Sequence, residues 1–196
     1  MRPLKWMTKT GLVVCLILTS FSQPCLAGET ESNPEYYEKN LTLWREPLTN
    51  KEFVWLPTGC FQMGQSSQER QQLKKDAGEL KYRDFYADET PQHKVCLDGF
   101  WLARQEVSQL QWTNIMATKP FSPGTTDDHP ATNVSWLMAM DFIIVLNGIS
   151  SEGFRLPSEA EMEYGTRAGT STPFHTGKTI STDQANYNGV YKYDTG

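Results

Sequence analysis

The chain has 196 residues, with 18 Lys and Arg against 23 Asp and Glu, a net charge of −5, and 12% aromatic residues. That length suits one domain with enough aromatic side chains to build a core. The acidic balance argues against a nucleic-acid-binding role.

The first nine residues, MRPLKWMTK, carry Arg2, Lys5 and Lys9 and no acid, and the short apolar run GLVVCLILTSF follows. This is the pattern of a secretory signal peptide, and the run is too short for a membrane span. Cys25 and Ala27 place small residues before Gly28, so cleavage is expected after Ala27 and the exported chain is 28–196, periplasmic or secreted. A lipoprotein acylated at Cys25 is the weaker reading, because Pro24 stands where a small residue is wanted. Losing the leader leaves 15 basic and 23 acidic residues, a balance of −8. No transmembrane helix is expected in what remains. Cys15 and Cys25 leave with the leader; Cys60 and Cys96 remain in an oxidising compartment, and two survivors suggest one disulfide.

Residues 28–51 are polar with scattered aromatics and no sustained period, which reads as a linker or N-terminal arm. EFVWLPTGCFQMG then reads as two short strands about the Pro57-Thr58-Gly59 turn. Its expected partner is QHKVCLDGFWLARQEV, β-prone around Val95 and Leu97 and again over Phe100 to Leu102. Between the two lies QSSQERQQLKKDAGELKYRDFYADETP, charged and without an apolar stripe, expected as a surface excursion with room for one helical turn. If the flanking segments pair, Cys60 and Cys96 can lie on neighbouring strands. A bond there would close the excursion as a loop and contribute about 3 kcal/mol. The alternative, a redox or metal pair, lacks a Cys-x-x-Cys spacing or a histidine cluster.

Three helices follow, each opening at a serine. Ser108 has Gln111 at the capping-box position, and Ser135 opens the run SWLMAMDFIIVLN with Gly148 just past its end. In the second helix Trp136, Met140, Ile143 and Ile144 follow a helical period and are expected to face the core, as packing and not as a cofactor box. The third lies in GFRLPSEAEMEYGTRAG. Ser158 stands three residues before Glu161, so hydroxyl and carboxylate can cap each other's amides, and Arg167 with Gly169 ends the helix. Local physics leaves Arg155 unexplained: a charge between Phe154 and Leu156 should pair with a carboxylate or with loop carbonyls. The histidines His93, His129 and His175 are dispersed and read as strand-face, loop and loop positions. The sequons at Asn40 and Asn133 matter only in a eukaryotic secretory pathway.

The segments GCFQMG, ETPQHKVCLDGFWLARQEVSQLQW, DDHPATNVSW and GFRLPSEAEMEYGTRAG occur in an order and spacing that resembles the formylglycine-generating enzyme family, also called the sulfatase-modifying factor family. The last resembles its signature R-L-P-T-E-A-E-W-E-Y-A-x-R, with Ser158, Met162 and Gly165 replacing the usual Thr, Trp and Ala. Serine keeps the cap and methionine a softer apolar plug, while glycine in a helix costs about 1 kcal/mol.

The resemblance implies an α+β domain of the variant C-type-lectin kind over 52–196, with little regular secondary structure and an incomplete C-terminal part. It also implies an oxidase that uses molecular oxygen to convert a cysteine in a Cys-x-Pro-x-Arg segment of a sulfatase-type protein to formylglycine. Family cofactors are copper(I), held by two cysteines, and calcium. The catalytic cysteines follow the signature helix, whereas Cys60 and Cys96 precede it, so no catalytic residue is assigned here and this chain alone is expected to be inactive. ANYNG resembles the start of a calcium loop, with Asn186 and Tyr187 as candidate ligands and the turn reading of Asn186 standing beside it. The alternative function is a non-catalytic lectin-like binding module. Kinship with the iron-dependent sulfoxide synthases that share this domain is weaker, since 28–51 has no histidine and no room for their helical domain.

Overall fold

Strand-prone residues become a sheet only where partners exist, and among the described residues seven short strands find them. The computed structural model describes residues 17–18, 41–122, 124–177 and 180–185. The strands are β1 (Ile17–Leu18), β2 (Leu43–Arg45), β3 (Glu52–Leu56), β4 (Gly59–Met63), β5 (His93–Leu97), β6 (Phe100–Ala103) and β7 (Phe154–Arg155). The helices are α1 (Ser67–Ala77), α2 (Glu79–Phe85), α3 (Gln109–Met116), α4 (Trp136–Ile149) and α5 (Glu159–Arg167), with a 3-10 turn at Ala87–Glu89. This is an α+β chain, and it divides into two units. Among the described residues no helix is long and apolar enough to cross a membrane.

Among the described residues the first unit takes in 17–18, 41–58 and 98–159. Its antiparallel sheet has the order β2-β3-β6-β1-β7. The two strands expected about Pro57 therefore separate, β3 entering this sheet beside β6 and β4 pairing elsewhere with β5. The stretch 28–51 was expected to be an arm, yet Leu43–Arg45 is a full sheet member and Glu46 and Lys51 are buried. Its polarity misled because these charges are satisfied internally. The Glu46 carboxylate accepts from the amides of Leu48 and Thr49 at 2.9 and 2.5 Å, forming the β2–β3 turn.

Helices α3 and α4 pack on the core through Trp112 and Phe142, whose rings stack at 5.3 Å. Phe53 is wholly buried and lies 5.4 Å from the Trp44 ring and 5.8 Å from that of Phe154. Both serine caps form as expected: Ser108 makes a full capping box with Gln111, and Ser135 accepts the Met138 amide. Helix α4 continues through Gly148 to Ile149, past the expected stop at Asn147.

The core face of α4 differs from the expected stripe. Ala139, Phe142, Ile143 and Leu146 are buried, while Trp136 and Ile144 are 54% and 64% exposed. A helix apolar on nearly every side offers several stripes, so its period alone does not choose one. Packing of Phe142 on Trp112 chooses here. The outer face that results carries Trp136, Leu137, Ile144, Val145 and Ile149 in solvent.

In the second unit β4 and β5 form a hairpin in which Cys60 faces Cys96 directly. The intervening excursion holds two helices and not a single turn. Helix α1 buries no residue and is instead started by a capping box, Ser66 with Glu69, a signal present in the sequence as Ser-x-x-Glu. Helix α2 turns Tyr82 inward, where its hydroxyl donates to Gln65 at 3.3 Å.

Helix α5 is fixed in this unit by a ring of bonds about Gly64. The Gly64 amide donates to the Glu163 carboxylate at 3.0 Å, Arg167 Nη2 donates to the Gly64 carbonyl at 3.2 Å, and Arg167 Nε donates to Glu163 at 2.8 Å. Gly64 sits at φ +87°, with the Glu89 carbonyl where a Cβ would stand, so only glycine fits this junction. Both ends of the ion pair are mostly buried.

Glu163→Ala should lower the unfolding free energy by about 3 kcal/mol in denaturant titrations, because Arg167 is left buried without its carboxylate. Glu163→Gln should cost less, since its carbonyl can still accept from Gly64. Equal losses in both variants would show that the charge, and not the hydrogen bond, holds α5. Paired Leu137→Lys and Ile144→Lys changes should leave stability within about 0.5 kcal/mol while reducing self-association and apolar dye binding. A collapse of helicity would show that this face is packed after all.

Candidate functional site

Three places among the described residues bear on function, two of them singled out by sequence. Cys60 and Cys96 are joined by a disulfide, on directly opposed positions of β4 and β5 with Cα atoms 4.0 Å apart, closing a loop of sequence separation 36. Both sulfurs are consumed in that bond, so the pair offers no thiolate to a soft ion and does not fit a copper(I) centre. Among the described residues no group of three or more His, Cys, Asp or Glu is placed to hold a metal ion. Asn186 and Tyr187 lie outside the described residues.

The signature segment is the second place. Arg155 ends β7 half-buried, and its Nη1 donates to the Leu156 carbonyl at 3.1 Å, a loop carbonyl as expected. Helix α5 begins at Glu159, which puts Ser158, exposed, at the position that precedes a helix. Glu161 and Glu163 are the buried residues of α5. Glu163 was not singled out by sequence, although its spacing to Arg167 is an i,i+4 ion-pair signal. Its target, Gly64, lies 99 residues earlier, and no local pattern could have named it.

The histidines do not converge. His93 lies on β5 with Nδ1 3.0 Å from the Pro91 carbonyl, and His129 is in a loop with Nδ1 2.6 Å from the Thr126 hydroxyl. His175 is also a loop residue.

The third place is a polar cleft of about 200 Å³ in the first unit, lined by Arg45, Asn50, Lys51, Glu52, Gln105 and Gln111. Its charges are committed to the protein. Glu52 receives both Arg45 and Arg104, the latter at 3.2 Å. Lys51 Nζ donates to the Glu106 carbonyl at 2.7 Å and to Gln111 Oε1 at 3.4 Å. Gln111 also caps the Ser108 amide at 3.0 Å and donates to the Thr49 carbonyl at 3.1 Å. One glutamine thus ties the start of α3 to the β2–β3 turn. The lining of the cleft contains no nucleophile beside a base. Its chemistry is structural.

Comparison with known proteins now bears on this geometry. A family model described as the sulfatase-modifying factor enzyme 1-like domain matches residues 40–195. The solved structure of PvdO from Pseudomonas aeruginosa is similar in fold, with a TM-score of 0.54 and 24% identity, covering 74% of this chain and 57% of that one. The chain thus spans less than two thirds of that relative's length. No curated protein matches it. The α+β arrangement agrees with the C-type-lectin-like fold of the family. Since the match takes in the hairpin, the capped helices and the signature segment alike, the chain belongs to the sulfatase-modifying factor, or formylglycine-generating enzyme, family.

Proposed function

We propose that this chain is the scaffold portion of an exported formylglycine-generating-type oxidase, acting on a cysteine of a sulfatase-like protein. The observation that carries the reading is the family match over residues 40–195. The disulfide between Cys60 and Cys96 agrees with an oxidising compartment.

In this reading the reacting groups are not among the described residues. Two thiolates must hold copper(I), and residues other than Cys60 and Cys96 supply them. Asn186 and Tyr187 are proposed to open a calcium loop whose remaining ligands lie further along the protein. Copper supplies the oxygen chemistry when bound. The present residues hold the scaffold: the Gly64–Glu163–Arg167 ring fixes the signature helix, and the disulfide closes the excursion.

The test is to read the gene and transcript past codon 196 and to take the intact mass of the native protein. A frame that continues into two further cysteines, with a product that converts a Cys-x-Pro-x-Arg peptide to its aldehyde only when copper is present, is the expected result. A stop codon directly after Gly196, with a native mass to match, overturns the oxidase reading for this protein.

A further inference from the structure

The hairpin of the second unit packs on one face and carries its disulfide on the other. Alternation along β4 and β5 sets Gly59, Phe61 and Met63 on one side with Val95 and Leu97, all half-buried. Tyr164 of α5 covers that side. Its ring lies 5.5 Å from that of Phe61, and its hydroxyl fills the space where a Cβ at Gly59 would stand. Cys60, Gln62, Lys94 and Cys96 share the opposite side, and all four are exposed. The Cys60–Cys96 bond therefore lies on the solvent side of the hairpin.

A disulfide opens when a thiolate reaches one of its sulfurs, and it opens faster when the sulfur expelled is stabilised as a thiolate. Exposure of both cysteines meets the first condition. Lys94 bears on the second: it stands two residues before Cys96 on the same face, and a cation beside a cysteine favours its thiolate. The nearest acid along the chain, Asp98, lies past the end of β5. Nor does the hairpin depend on the bond for its register. Five residue pairs and the packing of Tyr164 hold β4 against β5, and the Gly64–Glu163–Arg167 ring ties the end of β4 to α5. Opening the bond thus leaves two opposed thiols, placed to close again.

We propose that the Cys60–Cys96 bond is a thiol-exchange site, opened and closed in the folded protein by a dithiol protein of the same compartment, with Lys94 favouring the thiolate expelled. A thiolate of the partner attacks one sulfur and forms a mixed disulfide, while the Cys60–Cys96 bond breaks and the other sulfur leaves as a thiolate that takes a proton from water. The partner's second thiolate then closes the partner's own disulfide and releases the remaining cysteine. Two electrons pass to this chain, and the partner is oxidised. The loop of sequence separation 36 around α1 and α2 is then open while β4 and β5 stay paired. Because α1 buries no residue, the exchange changes how the excursion is fastened and leaves the packed face of the hairpin as it was. The inference requires an oxidising location and no oxidase activity.

The oxidised protein, without denaturant, is treated with a reduced thioredoxin-type dithiol protein, quenched with an alkylating reagent and mapped by peptide mass. Mapping confines the readout to Cys60 and Cys96, so thiols elsewhere in the chain do not enter. Labelling of both cysteines at a rate proportional to the dithiol concentration, and within about tenfold of the rate for the unfolded chain, is the expected result. The far-ultraviolet circular dichroism of the reduced protein should match that of the oxidised one. Lys94→Gln should slow the native reaction about threefold and Lys94→Arg should restore it, with both variants equal to the parent in denaturant. A rate independent of dithiol concentration, which marks prior unfolding, overturns the proposal. So does loss of the dichroism on reduction, or a Lys94→Gln rate equal to the parent's. Because no step reads oxidase activity, failure of the oxidase reading is seen separately.

Discussion

The constraint on which the first unit depends is the bracket that Asn147 puts around the backbone of Phe154. An asparagine amide can donate and accept at once, and here it replaces the strand partner that a two-residue strand would otherwise lack on that edge. With the edge satisfied, Phe154 can enter the core against Phe53 without leaving a buried amide unpaired. The chain then leaves β7 through Arg155, whose guanidinium is held by the next residue's carbonyl, and reaches Ser158. The position of the signature segment within this unit is therefore set by one side chain of the preceding helix.

Polar residues near the β2–β3 turn act by the same logic. Glu46 and Lys51 are buried charges, and burial is tolerable because each is met by donors or acceptors of the turn and of α3. Gln111 is the shared member, capping α3 while accepting Lys51 and donating to Thr49. A stretch that reads as a polar arm thus becomes a sheet strand, since what matters for burial is whether a polar group is satisfied and not how polar it is.

Legibility in the sequence followed the range of the interaction. The caps at Ser108 and Ser135, the two strands on either side of Pro57, the pairing of Cys60 with Cys96 and the loop carbonyl for Arg155 are decided by residues close in sequence or by simple alternation, and each could be read. The capping box at Ser66 was equally local but was masked by the charge and lack of an apolar stripe in α1. Other features depend on distant partners. Which face of α4 turns inward depends on Trp112, the role of Glu163 depends on Gly64, and the membership of Leu43–Arg45 depends on β3. The candidate site was legible as kinship, through the signature segment, and not as chemistry, because no reacting constellation is present among the described residues.

The acids of α5 show why a signature need not mark the reacting groups. Two glutamates are buried in a nine-residue helix, an arrangement that is costly unless each is partnered. Oε1 of Glu163 has three contacts to donors, from the Gly64 amide and two nitrogens of Arg167. Glu163 is thus an anchor, and the glycine it grips, strained for any other residue, belongs to the same device. The two cysteines obey a parallel rule, since sulfur committed to a cross-strand bond is withdrawn from both nucleophilic and metal-binding roles. Sequence elements that specify the family are in this chain the parts that hold the scaffold together.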